Sequence, residues 1–193
     1  MSIAITLTTI NVPRVIGHFI ENFDGESPKD TVFFVIGDVK TPKGAQEYCE
    51  ELNLQNNIQI RYFSIEDQAE YLSAYQSFEK YLPLNSFSRR NIGDLIAYKE
   101  GFDIIIRIDD DNYPTKDDFL KLHKDIGFVQ NLPVISSKSG WYNVCNHLRD
   151  KEDIPFYPRG FPYSARWDEG KKEVMDKDVK IVLNAGLWLG DPD

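Results

Sequence analysis

The chain has 193 residues, of which 22 are basic and 31 acidic, so its formal net charge is −9. With 41% hydrophobic and 13% aromatic residues, it has the composition of a globular domain with its own core, not of a disordered chain. The acidic balance excludes a protein that binds long nucleic acids, because such proteins neutralise phosphates with a basic face. A small nucleotide stays compatible, since a metal ion and one or two arginines can meet its few charges.

Apolar runs and helical repeats alternate from Ile3 to Ser136. The apolar runs predict strands over Ile3–Ile10, Thr31–Ile36, Ile58–Phe63, Phe102–Ile108 and Leu132–Ser136. Apolar residues at helical spacing predict a first helix that begins near Pro13. Further helices are predicted over Thr41–Leu52, Ile65–Tyr81, Ser88–Glu100 and Asp117 to about Val129. The pattern predicts an α/β fold, a Rossmann-like three-layer sandwich with a mostly parallel central sheet.

The region after Ser137 departs from this rhythm and is rich in aromatic residues, Pro and Gly. It predicts irregular segments and short strands that line a cleft. We expect residues 1–193 to form one domain.

The cysteines, Cys49 and Cys145, form neither a disulfide framework nor a CxxC pair, and we predict that both are buried, unreactive thiols. The N-terminal apolar stretch is too short and too polar for a signal peptide, and no run reaches the ~20 apolar residues of a membrane span. We therefore expect a soluble protein of a reducing compartment with a cytoplasmic location.

Signatures of several common enzyme classes do not occur in the sequence, namely GxGxxG, GxxxxGK[ST], GxSxG and HExxH. The three histidines are scattered, and we interpret each as an ordinary surface or core residue. Ligands of parallel α/β sheets bind at the carboxyl ends of the strands. Three polar segments lie at these ends of predicted strands: Thr8–Asn11, Gly37–Asp38 and Asp109–Asp111.

Three consecutive aspartates follow the apolar strand IIIRI. Their mutual repulsion is costly unless a cation lies between them. Alternate residues of an extended segment point the same way, so we predict that Asp109 and Asp111 bind one Mn²⁺ or Mg²⁺ ion while Asp110 faces away. The alternative is a solvated acidic turn, with the carboxylates exposed to water.

The aspartate cluster resembles the DxD metal site of GT-A glycosyltransferases. Three motifs resemble, in order, the reversibly glycosylated polypeptide and UDP-arabinopyranose mutase family with its bacterial and viral relatives: SRRNIG with DIIIRIDDDN, RGFPYSAR, and NAGLWL. They span Arg89 to Leu189, about half of the chain. Family members continue beyond the last motif, so the resemblance implies a catalytic fragment or a minimal relative. The residues around the aspartates are closer to the microbial relatives than to the plant mutases.

The resemblance implies a role for each group of site residues. The residues expected to contact the nucleotide sugar are Thr8, Thr9, Asn11, Asp38, Arg90, Asn91, Asp94, Asp110 and Trp188. Arg159 matches the arginine that the family glycosylates, and Arg166 its partner; we expect both to stabilise the departing diphosphate. Asp191 or Asp193 would act as general base on the acceptor. The alternatives are a turn role for Asp38, a solvated face for Arg89 and Arg90, core packing for Trp188 and a frayed terminus for the last aspartates.

Together, these expectations predict a metal-dependent glycosyltransferase. It would transfer a sugar from a nucleotide-sugar donor, a UDP-sugar, to a glycan or another hydroxyl acceptor. Two alternatives stay open. One is a UDP-sugar pyranose/furanose mutase with reversible self-glycosylation, and the other is a non-catalytic module that binds sugar nucleotides. No nucleic-acid partner is expected.

Overall fold

The computed structural model describes residues 1–23, 30–114, 119–147, 156–166 and 172–185. The chain divides into two compact units, Met1–Leu122 and His123–Asp193, and each is described by itself. The expectation of one catalytic domain over residues 1–193 stays a prediction. No helix among the described residues is long and apolar enough to cross a membrane.

The first unit contains a four-stranded, all-parallel sheet. Its strands are β1 (Ile3–Thr9), β2 (Thr31–Gly37), β3 (Gln59–Phe63) and β4 (Ile104–Arg107), in the order β3-β2-β1-β4. Every residue of β2 is buried, as its continuous apolar pattern predicts for a strand inside such a sheet. The predicted α/β class and parallel central sheet are therefore confirmed.

Helices cover both faces of this sheet. They are α1 (Val15–Asn22), α2 (Gly44–Gln55), α3 (Ile65–Leu72), α4 (Gln76–Glu79) and α5 (Arg90–Glu100). Phe33 and Phe34 are neighbours in β2 and so point to opposite faces. Phe33 stacks on Phe23, just after α1, whereas Phe34 shares a cluster with Ile92 and other residues of α5. The sheet therefore lies between two helical layers.

The helix predicted over Ile65–Tyr81 is wrong in its length. It is divided into α3, a 3₁₀ turn at Ser73–Tyr75 and the short α4. The Ser73 hydroxyl donates to the Glu70 carbonyl at 2.7 Å, a local bond that competes with the helical pattern. Tyr75 then leaves the helical region, with φ −132° and ψ 43°. Helical spacing of apolar residues does not reveal such a break.

The second unit contains a two-stranded antiparallel sheet formed by β5 (Val129–Ser137) and β6 (Lys172–Lys180). The predicted strand Leu132–Ser136 lies within β5, but it does not extend the parallel sheet. The helix predicted from Asp117 is also wrong over the described part of its range. Residues 119–128 contain a 3₁₀ turn and further turns, and Gly127 has a φ of +92°, which ends helical structure.

Candidate functional site

The carboxyl edge of the parallel sheet holds the predicted site residues of the first unit. β2 and β3 are added on one side of β1, whereas β4 is added on the other side. The order in which successive strands are added therefore reverses between β1 and β4, although all four strands are parallel. In open α/β sheets, ligands bind in the crevice outside the strand ends at such a switch point. Thr9 ends β1, and Asp109–Asp111 follow β4 by one residue.

Asp110 is tied to the segment after β1. The buried Thr9 hydroxyl donates to Asp110 Oδ2 at 2.6 Å, and Asn11 Nδ2 donates to the same oxygen at 3.2 Å. These bonds join residues about a hundred positions apart in sequence. Among the described residues, the other oxygen of this carboxylate, Oδ1, has no hydrogen-bond partner. Asp110 is therefore held in place on one side and open on the other.

Asp109 has a different environment. It forms an ion pair with Arg90, which also donates to the Ile108 carbonyl at 3.0 Å. The side chain of Arg90 is only 18% exposed. Arg90 thus fixes the first aspartate of the cluster against the start of α5, and its contact with a ligand stays a prediction.

Asp111 is exposed and lightly held. It accepts one hydrogen bond from Asn112 Nδ2, at 3.3 Å on Oδ1, and its Oδ2 has no partner in the described part of the chain. The Asn112 N–H donates to the Asp109 carbonyl at 3.3 Å, so this segment is a turn. The premise that this segment is extended is therefore wrong.

Asn91 and Asp94 connect α5 to the sheet. Asp94 accepts from the Thr6 hydroxyl at 2.7 Å and forms an ion pair with Arg107. Arg107 also donates to Asn91 Oδ1 at 3.1 Å. Asn91 and Asp94, predicted as ligand contacts, thus bind Arg107 at the end of β4. Sequence reasoning missed Arg107, although a single cation in the run IIIRI marks it.

Asp38 follows β2 and is 6% exposed. Its Oδ1 accepts from the N–H groups of Val39 and Asn85, at 2.7 and 2.9 Å, and its Oδ2 accepts from the Ser86 N–H at 3.0 Å. Asn85 has a φ of +54°, a left-handed conformation that asparagine tolerates. These contacts favour the turn role of Asp38 over a contact with uracil. The Thr8 hydroxyl likewise donates to a backbone carbonyl, that of Ile36, at 3.1 Å.

We expect Asp38→Ala to lower the free energy of unfolding by about 2–4 kcal/mol, because it leaves three backbone N–H groups near the sheet without their acceptor. Asp38→Asn keeps one carbonyl oxygen at the same place and is the matched control, with an expected loss of about half that size. Urea denaturation followed by circular dichroism measures both. Equal stability of the alanine variant and the native protein would show that the loop does not depend on this carboxylate.

A buried polar network lies beside Asp38. Gln68, fully buried, donates to the carbonyls of Gly37 and Phe63 at 2.7 and 2.9 Å, where β2 and β3 end. Its own carbonyl accepts two hydrogen bonds from Arg89, at 2.8 and 2.5 Å. Arg89 is 5% exposed, so the solvated face considered for it is wrong. Burial lowers the pKa of Arg89, and the nearby Asp38 charge opposes that shift.

The second unit contains the other predicted cations. Arg159 is exposed, whereas Arg166 is half-buried, with its guanidinium 4.1 Å from the centre of the Tyr163 ring and 5.1 Å from that of Tyr157. The predicted residues Trp188, Asp191 and Asp193 lie outside the described residues.

Both cysteines are buried and free, as predicted. Burial raises the pKa of the Cys49 thiol to about 12 and also raises that of Cys145, which keeps both in the unreactive protonated form. In the described ranges, no three or more His, Cys, Asp or Glu side chains come together as a metal-ligand set.

A search with protein-family models found no match to this chain, and a search of curated protein sequences found none either. The resemblance to glycosyltransferases therefore rests on the three sequence motifs, and what it implies stays a prediction.

Proposed function

We propose that the protein is a glycosyltransferase that binds a nucleotide sugar, with its divalent cation, at the carboxyl edge of the parallel sheet. One observation carries the proposal: Asp110 and Asp111 present carboxylate oxygens without partners among the described residues, directly at the switch point between β1 and β4. Adjacent carboxylates at this position repel one another, and a cation relieves that repulsion.

The donor chemistry of this edge fits Mg²⁺ or Mn²⁺. Both are hard cations that take carboxylate oxygens. Magnesium is usually bound by one or two carboxylates together with substrate phosphates and water, so a protein cage of three or more ligands is not required. Asp110 and Asp111 would hold the ion, while Asp109 stays paired with Arg90. The bound ion would supply neutralisation of the charge that grows on the diphosphate.

The protein's own residues position this site. Thr9 and Asn11 fix Asp110 against the end of β1, and Arg90 fixes Asp109 against α5. Such support keeps carboxylates in place without the reorganisation that would weaken an electrostatic site. The resemblance also implies that Arg159 and Arg166 stabilise the departing diphosphate. It likewise implies a general base at Asp191 or Asp193.

The experiment is a product assay by NMR. The protein is incubated with UDP-glucose, UDP-galactose or UDP-N-acetylglucosamine, with Mn²⁺ or with EDTA, in the presence and absence of oligosaccharide acceptors. We expect UDP release and a new glycosidic linkage only when both Mn²⁺ and an acceptor are present. Formation of a ring-contracted sugar nucleotide without acceptor would contradict the proposal and indicate a mutase. Binding of the donor without formation of any product would also contradict the proposal and indicate a non-catalytic binding module.

A further inference from the structure

Two exposed aromatic side chains, those of His18 and Tyr113, meet beside the aspartate cluster. Their ring centres are 5.0 Å apart and their ring planes are inclined by 73°, which is an edge-to-face contact. Tyr113 follows Asp111 by two residues, so the two Cα atoms lie within about 8 Å of each other. His18 is the fourth residue of α1, the helix that begins after the carboxyl end of β1. The pair therefore borders the proposed cation site.

Most of this aromatic surface is open to solvent. Tyr113 is 60% exposed, and the side chain of His18 is 55% exposed. Among the described residues, neither the Tyr113 hydroxyl nor His18 Nε2 has a hydrogen-bond partner. The other ring nitrogen, His18 Nδ1, faces the Glu21 carboxylate, with 3.9 Å between Nδ1 and Oε2. The pair thus offers an aromatic surface with hydrogen-bonding groups at its rim.

On the other side of β1, the loop after β2 uses its polar groups within the protein. The Thr41 hydroxyl accepts from the Asp38 N–H at 2.7 Å and donates to the Thr9 carbonyl at 2.5 Å, which ties this loop to the end of β1. Both carboxylate oxygens of Asp38 accept backbone N–H groups. The polar atoms of Tyr113 and His18, in contrast, remain open to a ligand.

The surroundings of the pair are anionic. Glu21 lies beside His18, and Asp110 and Asp111 come shortly before Tyr113. Placing like charges together costs free energy, so this surface disfavours a ligand that carries a carboxylate or a phosphate. The charges therefore favour a neutral ligand.

We propose that Tyr113 and His18 bind the terminal ring of a neutral oligosaccharide, which is the acceptor of the transfer. The role as acceptor rests on the proposed function. A pyranose ring has a face of C–H groups that packs on an aromatic ring, and its hydroxyls exchange hydrogen bonds with the Tyr113 hydroxyl and His18 Nε2. Because the pair borders the cation site, a sugar bound here has its hydroxyls beside the donor.

Binding is measured by NMR titration of the labelled full chain with maltose, with lactose, and with the methyl glycosides of glucose and glucuronic acid. We expect shifts of the backbone amides of His18, Asn112 and Tyr113 with the neutral sugars. Their affinity should exceed that of the glucuronide about threefold or more, because the acid meets the carboxylates. Absence of shifts at Tyr113 with every neutral sugar, or tighter binding of the glucuronide, would overturn the inference.

Substitutions of tyrosine locate the sugar. Tyr113→Ala is expected to weaken binding of the neutral sugar about tenfold, whereas Tyr113→Phe keeps the ring and should lose less than about threefold. The matched control is Tyr98→Ala, an exposed tyrosine in the last turn of α5, which leads to the start of β4. It should leave sugar binding unchanged. Equal effects of Tyr113→Ala and Tyr98→Ala would contradict a sugar site at Tyr113.

A parallel titration with UDP and Mn²⁺ separates this inference from the proposed function. Tyr113→Ala should bind UDP with Mn²⁺ as the native protein does, because the substitution removes an acceptor contact only. Sugar-dependent shifts at Tyr113 without any binding of UDP would uphold the sugar site and contradict the glycosyltransferase. Binding of UDP without sugar-dependent shifts would overturn the sugar site and leave the proposed function standing.

Discussion

Arg89→Ala is expected to lower the free energy of unfolding by about 3–5 kcal/mol. The substitution leaves Gln68 Oε1 and the Leu82 carbonyl without their buried donors, and it opens a cavity where a 5% exposed side chain was. Because Gln68 in turn connects the ends of β2 and β3, the loss reaches the carboxyl edge of the sheet. Urea denaturation, followed by circular dichroism, measures the effect.

A double-mutant cycle separates this network from simple loss of packing. Gln68→Ala combined with Arg89→Ala should cost less than the sum of the single substitutions, with a coupling of about 1–3 kcal/mol. Lys99→Ala, an exposed cation on α5, is the control and should change stability by less than about 0.5 kcal/mol. Strict additivity of the two network substitutions would show that Gln68 and Arg89 contribute independently.

Asp111→Asn is expected to reduce metal-dependent sugar transfer by about a hundredfold or more, because it removes a carboxylate that the proposed cation needs. The matched control is Asp103→Asn, an aspartate just before β4, at the opposite end of the same strand. It should leave the rate unchanged. Asp109→Asn should have a smaller effect than Asp111→Asn, since Asp109 is already paired with Arg90.

Rates measured at saturating and limiting Mn²⁺ distinguish a lost metal ligand from a misfolded site. A lost ligand shifts the Mn²⁺ dependence to higher concentration, while thermal unfolding stays close to that of the native protein. Equal rates for Asp111→Asn and Asp103→Asn would remove the aspartate cluster from the mechanism.

The strands of the first unit were predictable because each buried strand is a short run of apolar residues that are consecutive in the sequence. β2 is apolar at each position except its terminal threonine and glycine, and each predicted strand of the parallel sheet overlaps the observed one. The carboxyl edge was predictable for the same reason, since the polar segments follow directly after those strands. The partners of the site residues were not predictable, because Thr9 and Asp110 are far apart in sequence.

Two further features depend on distant partners. β5 pairs with β6, some forty residues later in the chain, and nothing local in the run from Leu132 to Ser136 distinguishes an antiparallel ribbon from another parallel strand. Arg89 and Arg90 are adjacent and chemically alike, yet the first is buried against Gln68 and the second pairs with Asp109. Only the three-dimensional arrangement separates their roles.

The proposed cation site at the carboxyl edge is tested most directly through the paramagnetism of Mn²⁺. Substoichiometric Mn²⁺ is added to the labelled protein, with and without UDP, and line broadening of backbone amides is followed by NMR. We expect UDP-dependent broadening at Thr9, Asn11 and residues 109–112, and none at Ser2 and Asp103, at the amino edge of the sheet. Broadening centred away from the carboxyl edge, or no broadening with UDP present, would contradict it.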